Sequence, residues 1–165
     1  MKPHFSEITL QQTSDLLSIL EDKQYSKPLN ILNNSSIGQH VRHIIDFYLC
    51  ILNENNGVIS YDNRTRNEQI EINTKYCTQQ IKTILKKIEK LDLNKEIEIH
   101  SCFTSNEKED HTIFKSNINR ELFYAFEHTI HHLALIKIGM LRSKRSGSDW
   151  RNRIRCPWRN VDSDR

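Results

Sequence analysis

Apolar residues recur every three to four positions through four long stretches of this chain, the spacing of helices that bury one side. The clearest stretch is residues 119–139, NRELFYAFEHTIHHLALIKIG. There Leu122, Phe126, Ile130, Leu133 and Lys137 follow one another at helical spacing, and Ala125, His128, Thr129, His132 and Ile136 form a neighbouring stripe. A helix of about five turns, ~30 Å long at ~1.5 Å per residue, is predicted. Residues 6–24 carry Leu10, Leu16, Leu17 and Leu20, with Ser6 as N-cap and an end before Pro28. Residues 37–55 carry Ile37, Val41, Ile44, Tyr48 and Leu52 on one stripe and His40, His43, Phe47 and Cys50 on the next. Ser35 or Ser36 can cap that helix and Gly57 can terminate it. Residues 68–91 set Ile70, Cys77, Ile81, Ile84, Leu85, Ile88 and Leu91 opposite Lys82, Lys86, Lys87 and Lys90. Ile97 and Ile99, then Thr112, Ile113 and Phe114 beyond a polar turn, predict a short β-hairpin. The expected fold is mainly all-α, an up-and-down-type four-helix bundle with that hairpin before the last long helix.

Composition narrows the class. A hydrophobic content of 36% and a mean hydropathy of −0.67 go with no run near the ~20 apolar residues of a membrane span. No apolar segment stands behind a basic start, so neither membrane association nor a secretory signal is expected and a cytoplasmic location is implied. Cys50, Cys77, Cys102 and Cys156 are widely spaced without a Cys-x-x-Cys pair, which points to reduced thiols rather than disulfides or a cysteine zinc site. The net charge of +3 is unevenly placed: residues 141–165 hold eight Lys/Arg against three Asp, while residues 1–140 hold 16 basic against 18 acidic residues. The division expected is a bundle domain over 1–140 and a basic, atypical tail over 141–165. Arginines interleaved with Trp150 and Trp158 can bind nucleic acid, but a disordered end or one ordered by a partner subunit is the preferred reading.

The chemistry lies in the histidines. A lone histidine on an apolar face is usually a hydrogen-bonded core residue. His128 and His132, four apart, stand one turn above the other and can reach a single cation. His40 and His43, three apart on another helix of the same bundle, offer a third ligand. Burying three unpaired imidazoles costs several kcal/mol, and a divalent cation removes that cost by taking one lone pair from each ring.

Residues 35–48 (SSIGQHVRHIIDFY), 61–71 (YDNRTRNEQIE) and 119–136 (NRELFYAFEHTIHHLALI) resemble segments of the DinB-like (YfiT-type) four-helix-bundle metalloproteins, in order and spacing over roughly residues 5–140. The resemblance implies metal ligation by His43, His128 and His132 and a divalent ion: zinc, nickel or iron. It also implies a homodimer and a metal-dependent enzyme, a transferase or hydrolase whose small-molecule substrate can be a low-molecular-weight thiol. His40 is the candidate for a catalytic role, for a fourth ligand or for a group behind the ligands. His131, turned by about 100° from His132, is assigned to packing or to the surroundings of the site. Asp46 and Glu121 are candidate acceptors behind the ligating rings, or ordinary ion-pair residues. Arg64 and Arg66 either clamp their loop with Asp62 or hold an anionic substrate at the mouth of the site. The resemblance stops at Gly139, and an out-of-frame gene end is one reading of the residues beyond it. The alternative function is a non-catalytic, stress-associated metal-binding bundle.

Overall fold

The computed structural model describes residues 4–62, 64–102 and 111–143. The polar turn before residue 111 and nearly all of the basic tail lie outside the described residues. In chain order the elements are α1 (Phe5–Ser18), α2 (Asp22–Tyr25), β1 (Pro28–Leu29), a 3-10 turn (Asn30–Leu32), β2 (Ser35–Ser36), α3 (Ile37–Leu52), β3 (Val58–Ile59), α4 (Glu68–Ile72), α5 (Thr74–Ile88), β4 (Glu96–Cys102), β5 (His111–Asn117) and α6 (Ile118–Ser143). The fold is mainly helical with two small sheets. Four helices are long, and each packs against two others: α1 against α5 and α6, and α3 against α5 and α6. Leu10, Ile44, Tyr48, Ile51, Ile81, Ile84 and Leu122 meet in the fully buried interior, each contributing roughly 1.5–3 kcal/mol through removal from water. Among the described residues, no helix is long and apolar enough to cross a membrane.

Local caps divide what the apolar period leaves continuous. Residues 6–24 form two helices, because Glu21 and Gln24 close a capping box that restarts the chain as α2. His4, not Ser6, caps α1: its Nδ1 accepts from the Ser6 N–H at 3.3 Å, and Ser6 itself is buried inside the helix. Residues 68–91 are likewise split at Asn73, whose extended backbone (φ −127°, ψ 104°) ends α4. Its Oδ1 then accepts the Tyr76 N–H at 2.9 Å and starts α5. Gly57 does not terminate α3, which ends at Leu52. It forms a two-residue turn with Asn56, bridged by reciprocal Asn55–Val58 hydrogen bonds, with φ of 51° and 80° at the two positions. Asn-Gly suits that doubly left-handed turn. In place of a simple hairpin there is a three-stranded sheet in the order β3-β4-β5. β5 pairs antiparallel with β4, from Glu96↔Asn117 to Cys102↔His111, while β3 pairs parallel on the other edge of β4.

The start of α3 is fixed by close packing. A Cβ on Gly38 would lie 1.9 Å from the Glu71 carbonyl oxygen at the end of α4, and the Arg42 Nε–Glu71 Oε1 ion pair, 2.7 Å, ties the same two helices. Gly38→Ala must push α4 away from α3. A loss of about 2–3 kcal/mol is expected from such overpacking, read as a lower midpoint in chemical denaturation.

Candidate metal centre

Each histidine is placed by the element that carries it. A reciprocal capping box sets the first turn of α3: Ser36 Oγ accepts the Gln39 N–H at 3.1 Å and Gln39 Oε1 accepts the Ser36 N–H at 3.0 Å. His40 and His43 follow on the next turn, on the side of α3 that packs on α6. On α6, buried Thr129 donates to the Ala125 carbonyl at 2.7 Å and lies 3.4 Å from the Tyr48 hydroxyl of α3. That contact turns the flanking His128 and His132 toward the same seam.

His43, His128 and His132 come together there. Each offers a ring nitrogen within 4.8 Å of the other two. The ring centroids are 4.9 Å apart for His43–His128, 4.7 Å for His43–His132 and 4.5 Å for His128–His132. His40 joins from one turn earlier, with its Nδ1 2.9 Å from Nδ1 of His132. If the shared proton sits on His132 Nδ1, the lone pair of that ring is left on Nε2. His128 Nε2 and His40 Nε2 are buried without a hydrogen-bond partner among the described residues. His131 is exposed, its ring edge-on to His132 at 5.4 Å.

The rings are uncharged bases. Burial, then the neighbouring His128 and the Arg64 and Arg42 guanidiniums, lower the His43 pKa to about 4. Burial and the surrounding His128, His43 and His40 lower that of His132 to about 3. Burial first and His131 second lower both His40 and His128. Neutral imidazoles in a group of three are the donor set that zinc, nickel and iron accept.

The carboxylates foreseen near the site have other partners. Asp46 is buried beside Arg42, at 3.7 Å; burial raises its pKa and Arg42 opposes the rise. Glu121 is fully buried and accepts from Tyr61 Oη at 2.6 Å, Ser116 Oγ at 2.5 Å and Arg120 Nη1 at 2.8 Å. Among the described residues, neither carboxylate hydrogen-bonds to a histidine. Nor, among those residues, is there an Asp62 clamp on Arg64 or Arg66: Asp62 Oδ2 accepts the Cys102 N–H at 3.0 Å. Arg64 instead reaches His43, its Nη1 3.3 Å from Nδ1, and lies over the Phe47 ring at 5.5 Å.

Two aromatic residues that the sequence reading did not select frame the site. Phe47 stacks on His128 at 4.1 Å and Tyr61 stacks on Phe47 at 5.0 Å. The position of Phe47 one turn after His43 is the signal that could have found it. Beside the centre, Asp46, Cys50, Asn53, Ser60, Arg64 and Thr65 help line a cleft of about 230 Å³. Burial pushes the Cys50 thiol up to about 11, so it is not a ready thiolate nucleophile.

Comparison with protein families, with curated proteins and with solved structures finds no match.

The low histidine pKa values fix a pH dependence. In the unfolded chain His43 and His132 take protons near 6.5, whereas in the folded chain they do so only near 4 and 3. Between these values the unfolded state binds more protons, so their contribution is fully present above about 6.5 and is lost as pH falls. Metal-free protein is expected to lose thermal stability steadily from pH 7 toward pH 4. The loss should be shallower in His132→Asn, as followed by circular dichroism melts.

Proposed function

We propose that the chain is a DinB-like, divalent-metal-binding helical bundle protein and that its centre serves a metal-dependent transferase or hydrolase reaction with a small molecule, such as a low-molecular-weight thiol. The observation that carries the reading is the meeting of His43, His128 and His132, from two helices that are not consecutive, with ligand atoms within 4.8 Å of one another. The fit to a cation rests on one unpartnered nitrogen and on the neutrality of the three rings. His128 Nε2 is buried without a partner among the described residues, and all three imidazoles are held neutral by their surroundings. Unpartnered buried nitrogens cost about 1–3 kcal/mol each, a cost that coordination removes. When bound, a zinc, nickel or iron ion held by neutral ligands supplies Lewis acidity toward a thiol, a water or a carbonyl. The chain's own part is to orient the rings: His40 holds Nδ1 of His132, and Phe47 covers one face of His128.

The non-catalytic alternative, an ion that serves only to stabilise the bundle, has one observation in its favour. The single general-base candidate, His40, is engaged with His132. Turnover of a thiol conjugate that is lost on chelation and restored by metal supports catalysis; a metal effect on melting without turnover supports the alternative.

Protein purified without an affinity tag is expected to take up zinc or nickel and to melt at higher temperature, by about 2.7 kcal/mol of stabilisation at a hundredfold excess over Kd. His128→Ala should abolish uptake in elemental analysis. Undiminished metal content in a folded His128→Ala protein sinks the assignment.

A further inference from the structure

A neutral imidazole has one lone pair, and in His43 it is already in use. Arg64 Nη1 lies 3.3 Å from Nδ1 of His43. A guanidinium can only donate, so this nitrogen accepts and the ring proton sits on Nε2. Such a ring cannot also ligate a cation through Nε2, and its Nδ1 is blocked. Ligation through Nδ1 requires the guanidinium to leave that atom; ligation through Nε2 puts a proton on Nδ1, which then faces the N–H of Arg64. Either way the Arg64–His43 contact and metal ligation by His43 exclude each other.

The displaced side chain has a place to act. Arg64 is exposed, belongs to the connector between β3 and α4, and lines the 230 Å³ cleft together with the polar residues Ser60, Thr65 and Asn53 and the apolar Leu49, Val58 and Ile59. Asp46, which also lines the cleft, has Arg42 at 3.7 Å and feels the charges of Arg64 and Arg66 more weakly than that of Arg42. A dication at the histidines and a guanidinium next to them repel, and an anion between them offsets that repulsion.

Resting on the metal-binding reading above, we propose that Arg64 is a metal-released anion-binding residue. In the metal-free chain it is held on His43, and on metal binding it is freed to bind the carboxylate of a small organic molecule in the adjoining cleft. Metal and carboxylate then bind with positive coupling, and by linkage each raises affinity for the other by the same factor.

The test measures zinc affinity of the full-length chain by competition with a chromophoric chelator, for wild type, Arg64→Met and Arg66→Met, with and without sodium acetate, corrected for zinc–acetate association. Without acetate, Arg64→Met is expected to bind zinc roughly tenfold more tightly than wild type, a coupling of ordinary size. The gain should exceed that of Arg66→Met, which removes the same charge from the same connector. Acetate should tighten zinc binding in wild type and have no such effect in Arg64→Met. Equal zinc affinities in wild type and Arg64→Met, a gain no larger than that of Arg66→Met, or an acetate effect that survives in Arg64→Met overturns the proposal. A readout on wild type alone guards against an unfolded variant: the Arg64 Nε–H resonance should shift on zinc addition and only then respond to acetate, and a resonance indifferent to zinc also overturns it. Wild-type protein that takes up no zinc at all is a different result, which removes the metal-binding reading itself.

Discussion

The seam between α3 and α6 is held under one electrostatic constraint: its imidazoles cannot carry charge. His43, His128 and His132 crowd to ring separations below 5 Å; burial first, and then neighbouring histidines, disfavour a proton on each, with Arg64 adding to this at His43 and His128 and Arg42 at His43. The rings are therefore uncharged at neutral pH, and no imidazolium stands between the two packed helices. Helix packing and candidate site are thus one object. A substitution that loosens the seam also separates the clustered histidines.

Around the seam the charged groups are kept in separate pairs. Arg42 takes Glu71 and stands near Asp46, while Glu121 is enclosed by Tyr61, Ser116 and Arg120. Through Tyr61 this second group reaches Phe47, and through Phe47 the face of His128. A buried carboxylate with three donors fixes the tyrosine, and the tyrosine limits how Phe47 can move. The aromatic wall of the site is thus tied at one end to the first turn of α6, where Glu121 also takes Ser116 of β5, and at the other to α3 through Phe47.

The sequence was legible where its signals are local. The period of three to four marks all four long helices, and the His-x-x-x-His pair on α6 is close in space because it is close in sequence. The splits at residues 19–21 and at Asn73 were hidden, because apolar positions run through them in register and only a side-chain cap decides that the helix stops. Both His40 and His43 face α6, and which of them joins His128 and His132 in the cluster depends on the rotation of α3 about its axis, which periodicity does not set. The two take different places, His43 among the ligand atoms and His40 against His132. Glu121 shows the limit of same-face reasoning: its spacing from His128 suggested a shared site, but Tyr61 and Ser116, distant in the chain or in another element, take its oxygens. The Asn56-Gly57 turn was a readable hairpin signal that the nearby helix end obscured.

The junction between β5 and α6 has no linker: Asn117 closes the strand and Ile118 opens the helix. Two of the three clustered histidines therefore ride on a rod whose pivot is the sheet margin. His128 stands about ten residues along it, ~15 Å from the pivot, so a tilt of about 4° carries that ring roughly 1 Å. The twist of three short strands is thereby a lever on how closely the histidines of α6 meet His43.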